Sequence, residues 1–157
     1  MAGPVTARLY SCWQDFAGPW PWPNFLPREL ACRCGGRFCG GEYWHDARFL
    51  DVLQRLRDAL GAPVRITSAH RCGLWNAHVG GAPRSEHKTI AADIGLAGHE
   101  PARLFSAARD AGFGSFGLYR SFIHADLRPG RRWLGAGAQS AWIPILENSG
   151  ETRRWWA

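Results

Sequence analysis

At 157 residues, with 46% hydrophobic and 20% charged residues, the chain has the length and make-up of one globular domain with a substantial core. A net charge of +6 and a pI near 9.5 suit polyanionic surroundings such as nucleic acid, a membrane surface or an acidic wall polymer, without choosing among them. No apolar run approaches membrane-spanning length, no basic-then-apolar signal pattern opens the chain, and five cysteines exclude a complete internal disulfide framework.

Taken in chain order, the first stretch contains "GPWPWPNFLP" (18–27), whose prolines and tryptophans predict an extended, packed arm. "ACRCGGRFCGG" (31–41) is a glycine-rich loop carrying Cys32, Cys34 and Cys39. "HDARFLDVLQRLRDALG" (45–61) predicts a helix capped by Asp46 and stopped by Gly61, with Phe49, Leu50, Leu53, Leu56 and Leu60 as its apolar stripe. "PVRIT" (63–67) reads as a strand, followed by the loop "SAHRCGLWNAHVGGAPRSEH" (68–87) and a second strand, "IAADIGL" (90–96). A second helix over "EPARLFSAARDAG" (100–112) precedes a strand pair, "GSFGLY" and "SFIHADL", joined through Arg120. No internal repeat is visible. This order predicts an α+β fold with a small antiparallel sheet flanked by helices. Residues 1–45 are expected to form a Trp/Pro- and Cys-rich arm packed on a domain of residues 46–157, one globular unit overall.

The chemistry concentrates near the two strands. On an extended strand Asp93 shares a face with Ala91 and Gly95, small neighbours expected to leave space around the carboxylate. In "FIHADL", His124 and Asp126 share one face while Ile123, Ala125 and Leu127 share the other. Singly, Asp93 could be a structural acid bonded to loop amides and His124 a hydrogen-bonded sheet histidine. Together with His87 they supply two imidazoles and one carboxylate, the shell of a catalytic zinc with a fourth position left for water. Such a cation makes hydroxide available near neutral pH and offsets the desolvation of a buried acid.

"SAHRCGLWNAHVGGAPRSEHKTIAADI" followed by "FIHADL" resembles the M15 peptidases, the zinc D-Ala-D-Ala carboxypeptidase and endopeptidase family that acts on peptidoglycan. The resemblance rests on a Ser-x-His…Ala-x-Asp block, a later His-x-Asp, an arginine-containing turn and an Asn…Val-Gly-Gly run, over about residues 46–135. It implies the fold shared with Hedgehog signalling domains, and zinc held by His87, Asp93 and His124. It further implies that Arg71 binds substrate or stabilises the transition state, that Ser85, the motif serine, also contacts substrate, and that Asp126 is the acid of His-x-Asp. The chain departs from the family pattern at three places. The His-to-Asp segment "HKTIAAD" is one position short and lacks glycine, His70 replaces the usual tyrosine, and Ser121 stands where the family's base often lies. Serine cannot act as that base, so the role passes to Asp126 or a nearby group, with His70 and Glu86 next in line. Asp126 could equally be a fourth ligand or orient a liganding histidine from behind. His70 is expected to contact substrate, and His45, His78 and His99 to sit at the surface or behind the site.

Three features stand apart from the resemblance. Cys32, Cys34 and Cys39 with Cys72 could form a second, structural zinc site, or remain buried thiols or a partial disulfide. The tryptophans at 20, 22, 133, 142, 155 and 156 either pack a thin sheet or present an aromatic surface. A basic, Cys-rich nucleic-acid binder is a rival reading, but the arginines are scattered rather than striped, which argues against nucleic acid as a partner. The expected activity is hydrolysis of peptide bonds in peptidoglycan stem peptides or cross-links, with a non-catalytic binding component of a phage-like tail as the alternative. Without a signal pattern, the expectation is synthesis in the cytoplasm and action on the wall by release, or as part of a phage or gene-transfer-agent particle with tail proteins as partners.

Overall fold

A computed structural model describes residues 7–151 and Trp155; Trp156 and residues 1–6 lie outside the described residues. Its order is β1 (Arg8–Tyr10), α1 (Pro27–Leu30), β2 (Tyr43–His45), α2 (Ala47–Leu60), β3 (Ile66–Ser68), α3 (Gly73–His78), β4 (Ala92–Gly95), α4 (Pro101–Ala111), β5 (Ser115–Leu118), β6 (Phe122–Asp126), β7 (Arg132–Leu134) and α5 (Gln139–Ser149). The fold is α+β. Its main sheet runs β3-β4-β6-β5-β7, antiparallel except for β7, which adds parallel to β5.

The two long helices form where their caps and periodicity place them. Asp46 accepts the amide of Arg48, and Gly61 closes α2 in the left-handed conformation (φ 60°) that favours glycine. Glu100 caps α4 by accepting the amides of Ala102 and Arg103, with Pro101 in the first turn. Along α2 the buried side chains are Phe49, Leu50, Val52, Leu53 and Leu56, so Val52 joins the expected stripe and Leu60 is only partly covered. These residues share one core with Leu104, Phe105 and Ala108 of α4 and with Ile94, Phe116, Leu118, Ile123 and Ala125 of the sheet. The edge-to-face contact of Phe105 with Phe116, 5.0 Å between centroids, joins helix layer to sheet.

Several elements escape the sequence pattern. The arm is not wholly extended: β1 pairs antiparallel with β2, and "PREL" makes a short helix with Pro27 at its start and Glu29 accepting the amide of Leu26. Trp22, Phe25, Leu30 and Tyr43 of this segment belong to the main core. The long loop contains α3, and the C-terminal α5 forms around Pro144, anchored by buried Trp142 and Leu146. Trp22 and Trp142 are buried and Trp20, Trp133 and Trp155 half-buried, so all five take part in packing, and Trp133 also faces a surface cleft. Among the described residues no helix is long and apolar enough to cross a membrane.

Candidate functional site

The antiparallel register sets Asp93 of β4 directly opposite His124 of β6, on the sheet face away from the helices' core. The same register sets Gly117 of β5 on the other side of His124. A Cβ at Gly117 would collide with the indole of Trp133, which lies over the sheet with its ring 5.0 Å from that of His124. Glycine is therefore what lets the tryptophan cover one side of the histidine. His87 arrives from a 3-10 turn (Glu86–Lys88) whose start is capped by Ser85, the hydroxyl accepting the amide of His87.

Three ligand atoms converge. His87 Nε2 lies 3.1 Å from Asp93 Oδ1, His124 Nδ1 lies 3.1 Å from His87 Nε2, and His124 Nδ1 lies 3.3 Å from Asp93 Oδ1. Each histidine is held from behind. His87 Nδ1 donates to the Ala69 carbonyl at 2.6 Å, and His124 Nε2 donates to Asp126 Oδ2 at 2.7 Å. Those two bonds leave Nε2 of His87 and Nδ1 of a neutral His124 as lone pairs aimed into the triangle.

A tetrahedral shell with bonds of about 2.0–2.1 Å separates its ligand atoms by roughly 3.3 Å, so the triangle has the size a zinc ion requires. Its charge fits too. Burial raises the Asp93 carboxyl, but bonds from His124 and His87 outweigh burial and hold it at about 2, an ionised acid in a buried place. Burial lowers the His124 imidazole, yet the facing carboxylates Asp126 and Asp93 raise it overall. Positive charge is thus favoured at Nδ1, whether a proton or a cation carries it.

Around the triangle the structure redistributes several expected roles. Arg71 is placed at the site: its Nη2 donates to Asp93 Oδ2 (3.3 Å), its Nε to Ser68 Oγ (3.0 Å) and its Nη1 to Asn76 Oδ1 (3.4 Å). Asp93 borders the cleft on one side and Arg71 on the other, while the Arg65 side chain lies against Gly95. His70 does not reach the cleft. Its ring is 1% exposed, Nε2 meets Glu42 Oε1 at 2.8 Å and Nδ1 donates to the Thr89 carbonyl at 2.6 Å, so it ties the arm to the ligand-bearing turn. His45 is likewise buried, stacked on Phe16 at 4.1 Å, whereas His78 and His99 make exposed contacts.

Asp126 lies behind His124, in the position of a group that orients it. It is fully buried, and besides His124 it accepts the Arg128 amide (2.9 Å) and guanidinium (2.6 Å to Oδ2). Burial raises its carboxyl, but bonds from His124 and Arg128 prevail and hold it at about 2. A carboxylate so occupied, on the far side of the His124 ring, is poorly placed to take a proton from substrate-side water. Arg128, which the sequence reading passes over, is signalled only by its place two residues after Asp126.

The triangle floors a cleft of about 750 Å³. Arg71, Arg84, Arg128 and Arg131 give it positive walls, and Tyr119, Phe122 and Trp133 an aromatic one, with Tyr119 stacked on Phe122 at 4.3 Å. Among the described residues, Glu86 is the one carboxylate lining it apart from Asp93. The four cysteines assemble outside this cleft: the sulfurs of Cys32, Cys34, Cys39 and Cys72 all lie within 4.8 Å of one another.

Two imidazoles and a carboxylate at the floor of an open cleft are the arrangement of a metallohydrolase that uses a single ion. The comparison with known families gives the same class: the Peptidase M15 family model matches residues 23–126, well over half of the chain, and the protein belongs to that family. Peptidases of this family are typically zinc-dependent. No curated protein matches the chain.

Proposed function

We propose that the protein is a zinc peptidase that hydrolyses peptide bonds in peptidoglycan stem peptides or cross-links. The observation that carries this reading is the triangle of His87 Nε2, Asp93 Oδ1 and His124 Nδ1, sides 3.1–3.3 Å, with both histidines oriented from behind and the cleft above. Zinc held by these three residues would supply a Lewis acid that acidifies water and polarises the scissile carbonyl.

The chain's own residues divide the remaining work. Ala69 and Asp126 keep the two imidazoles in the tautomers that present lone pairs to the site. Arg71, held in place by Ser68 and Asn76, offers guanidinium N–H groups to a substrate carboxylate or to charge developing on the carbonyl oxygen. Glu86 is the proton acceptor that the cleft provides. It lines the cleft one residue before His87, accepts the Thr89 hydroxyl at 3.2 Å and pairs with Arg128 at 3.4 Å. The cationic walls suit wall peptides, which carry free carboxylates.

Mass spectrometry of purified sacculi incubated with the protein tests the reading. New peptide termini that disappear with chelator and return with zinc are expected. Intact muropeptides alongside stoichiometric zinc would instead favour a binding component with a peptidase fold.

A further inference from the structure

The cysteine cluster is separate from the peptidase site and has its own construction. Cys32 and Cys34 follow α1, Cys39 closes a six-residue loop, and Cys72 caps the start of α3. Gly35 and Gly36 (φ 67° and 85°) let that loop reverse, and Gly41 (φ 90°) returns the chain toward β2. The loop folds Cys39 Sγ to 3.5 Å from Cys34 Sγ. Cys32, Cys34 and Cys72 are buried, Cys39 partly so.

Two features distinguish this cluster from thiols that merely fill space. The cysteines form their own cluster apart from the main core, with Trp75 as its added apolar cover. Backbone amides also point at the sulfurs: Cys72 N–H at Cys32 Sγ, Glu42 N–H at Cys39 Sγ and Trp75 N–H at Cys72 Sγ, each 3.4 Å. Amides aimed at sulfur stabilise thiolates and do little for neutral thiols. Four sulfurs facing one another suit a tetrahedral ion, since bonds of about 2.3 Å put ligand sulfurs roughly 3.8 Å apart.

We propose that Cys32, Cys34, Cys39 and Cys72 bind one zinc ion as a closed structural site that clamps the arm to the Arg71 loop. On loading, each thiol releases its proton to solvent and forms one zinc–sulfur bond, with no change of oxidation state. Four protein ligands leave no position for water, so the ion does no chemistry. Its leverage is positional. Cys72 follows Arg71, whose amide donates to the His87 carbonyl at 2.6 Å and whose guanidinium reaches Asp93. A metal clamp at residue 72 therefore steadies the arginine that faces the cleft.

The experiment uses full-length protein made in zinc-supplemented medium, as wild type and as the His87→Ala/His124→Ala variant, which leaves every cysteine in place. Metal analysis is expected to give two zinc ions in the wild type and one in the variant. Cobalt exchanged into the variant should show the intense near-ultraviolet bands of sulfur-to-cobalt charge transfer. As a measurement independent of any variant, wild-type protein alkylated under denaturing, non-reducing conditions with chelator should show five modified cysteines. One modified cysteine would mean two disulfides and overturn the proposal, as would iron in place of zinc. A single wild-type zinc lost in the variant would overturn the clamp and leave the peptidase reading standing. A single zinc that survives in the variant would support the clamp and count against the peptidase site.

Discussion

The Arg71–Cys72 peptide separates two clusters of ligating side chains that meet solvent in opposite ways. On the Arg71 side, three donors from a turn and two strands floor an open cleft, each histidine braced by a second hydrogen bond. On the Cys72 side, four sulfurs from loops and a helix start close on one another beneath Trp75. Ligand count and exposure separate the roles. Three donors facing a cleft leave room for water and substrate, whereas four facing inward leave none. Arg71 lies between them, yet it is also held by Ser68 and Asn76, so each cluster should largely survive damage to the other.

The largest effect should come from the open cluster. His124→Ala removes one ligand and leaves Asp93 a buried anion without one of its two imidazole partners; zinc at this site and wall-peptide cleavage should both fall below detection. Next comes Glu86→Gln, expected to keep zinc and lower cleavage by about 10²–10⁴-fold, the range for a lost proton acceptor. Normal turnover with that variant would return the question to other groups lining the cleft. Asp126→Asn keeps an acceptor for His124 but removes its charge. A loss of about 10–100-fold in zinc affinity or activity is expected, measured by competition with a chelating dye.

Cys34→Ser/Cys39→Ser should empty the sulfur site and lower the melting temperature while leaving cleavage measurable, because Ser68 and Asn76 still hold Arg71. Complete loss of cleavage in a folded double variant would mean that the two clusters are less separable than their geometry suggests. The smallest effect concerns His45 in the arm, whose imidazole burial depresses, with nearby Asp46 opposing. A histidine depressed in the folded state binds its proton more readily when unfolded. Stability is therefore full above about 6.5 and declines as pH falls below it. Urea melts of wild type and His45→Gln across that interval should show a shallower decline in the variant.

The two clusters also differ in how plainly the sequence announces them. His87, Asp93 and His124 sit in short motifs, on a turn and on strands whose alternation is visible, and antiparallel pairing then needs only to set Asp93 opposite His124. Cys72 joins Cys32, Cys34 and Cys39 across more than thirty residues, and no local spacing signals that meeting. His70 and Asp126 show the same limit from the other side. Both are titratable residues in motif positions, and both are consumed by partners that sequence does not reveal: Glu42 and Thr89 for one, Arg128 for the other.

What the sequence by itself determined was whatever rests on neighbours along the chain. The Asp46 cap, the Gly61 stop, the apolar periodicity of α2, the second helix, the β5–β6 pair and the α+β class all follow from contacts within a few residues. Tertiary structure alone decided the rest. β1 exists because β2 lies beside it, and α5 forms around Pro144 because Trp142 and Leu146 find a core. The cleft takes its shape from Trp133 settling over Gly117. Those outcomes depend on burial and partners brought from distant segments, and burial belongs to the folded chain, not to any stretch of it.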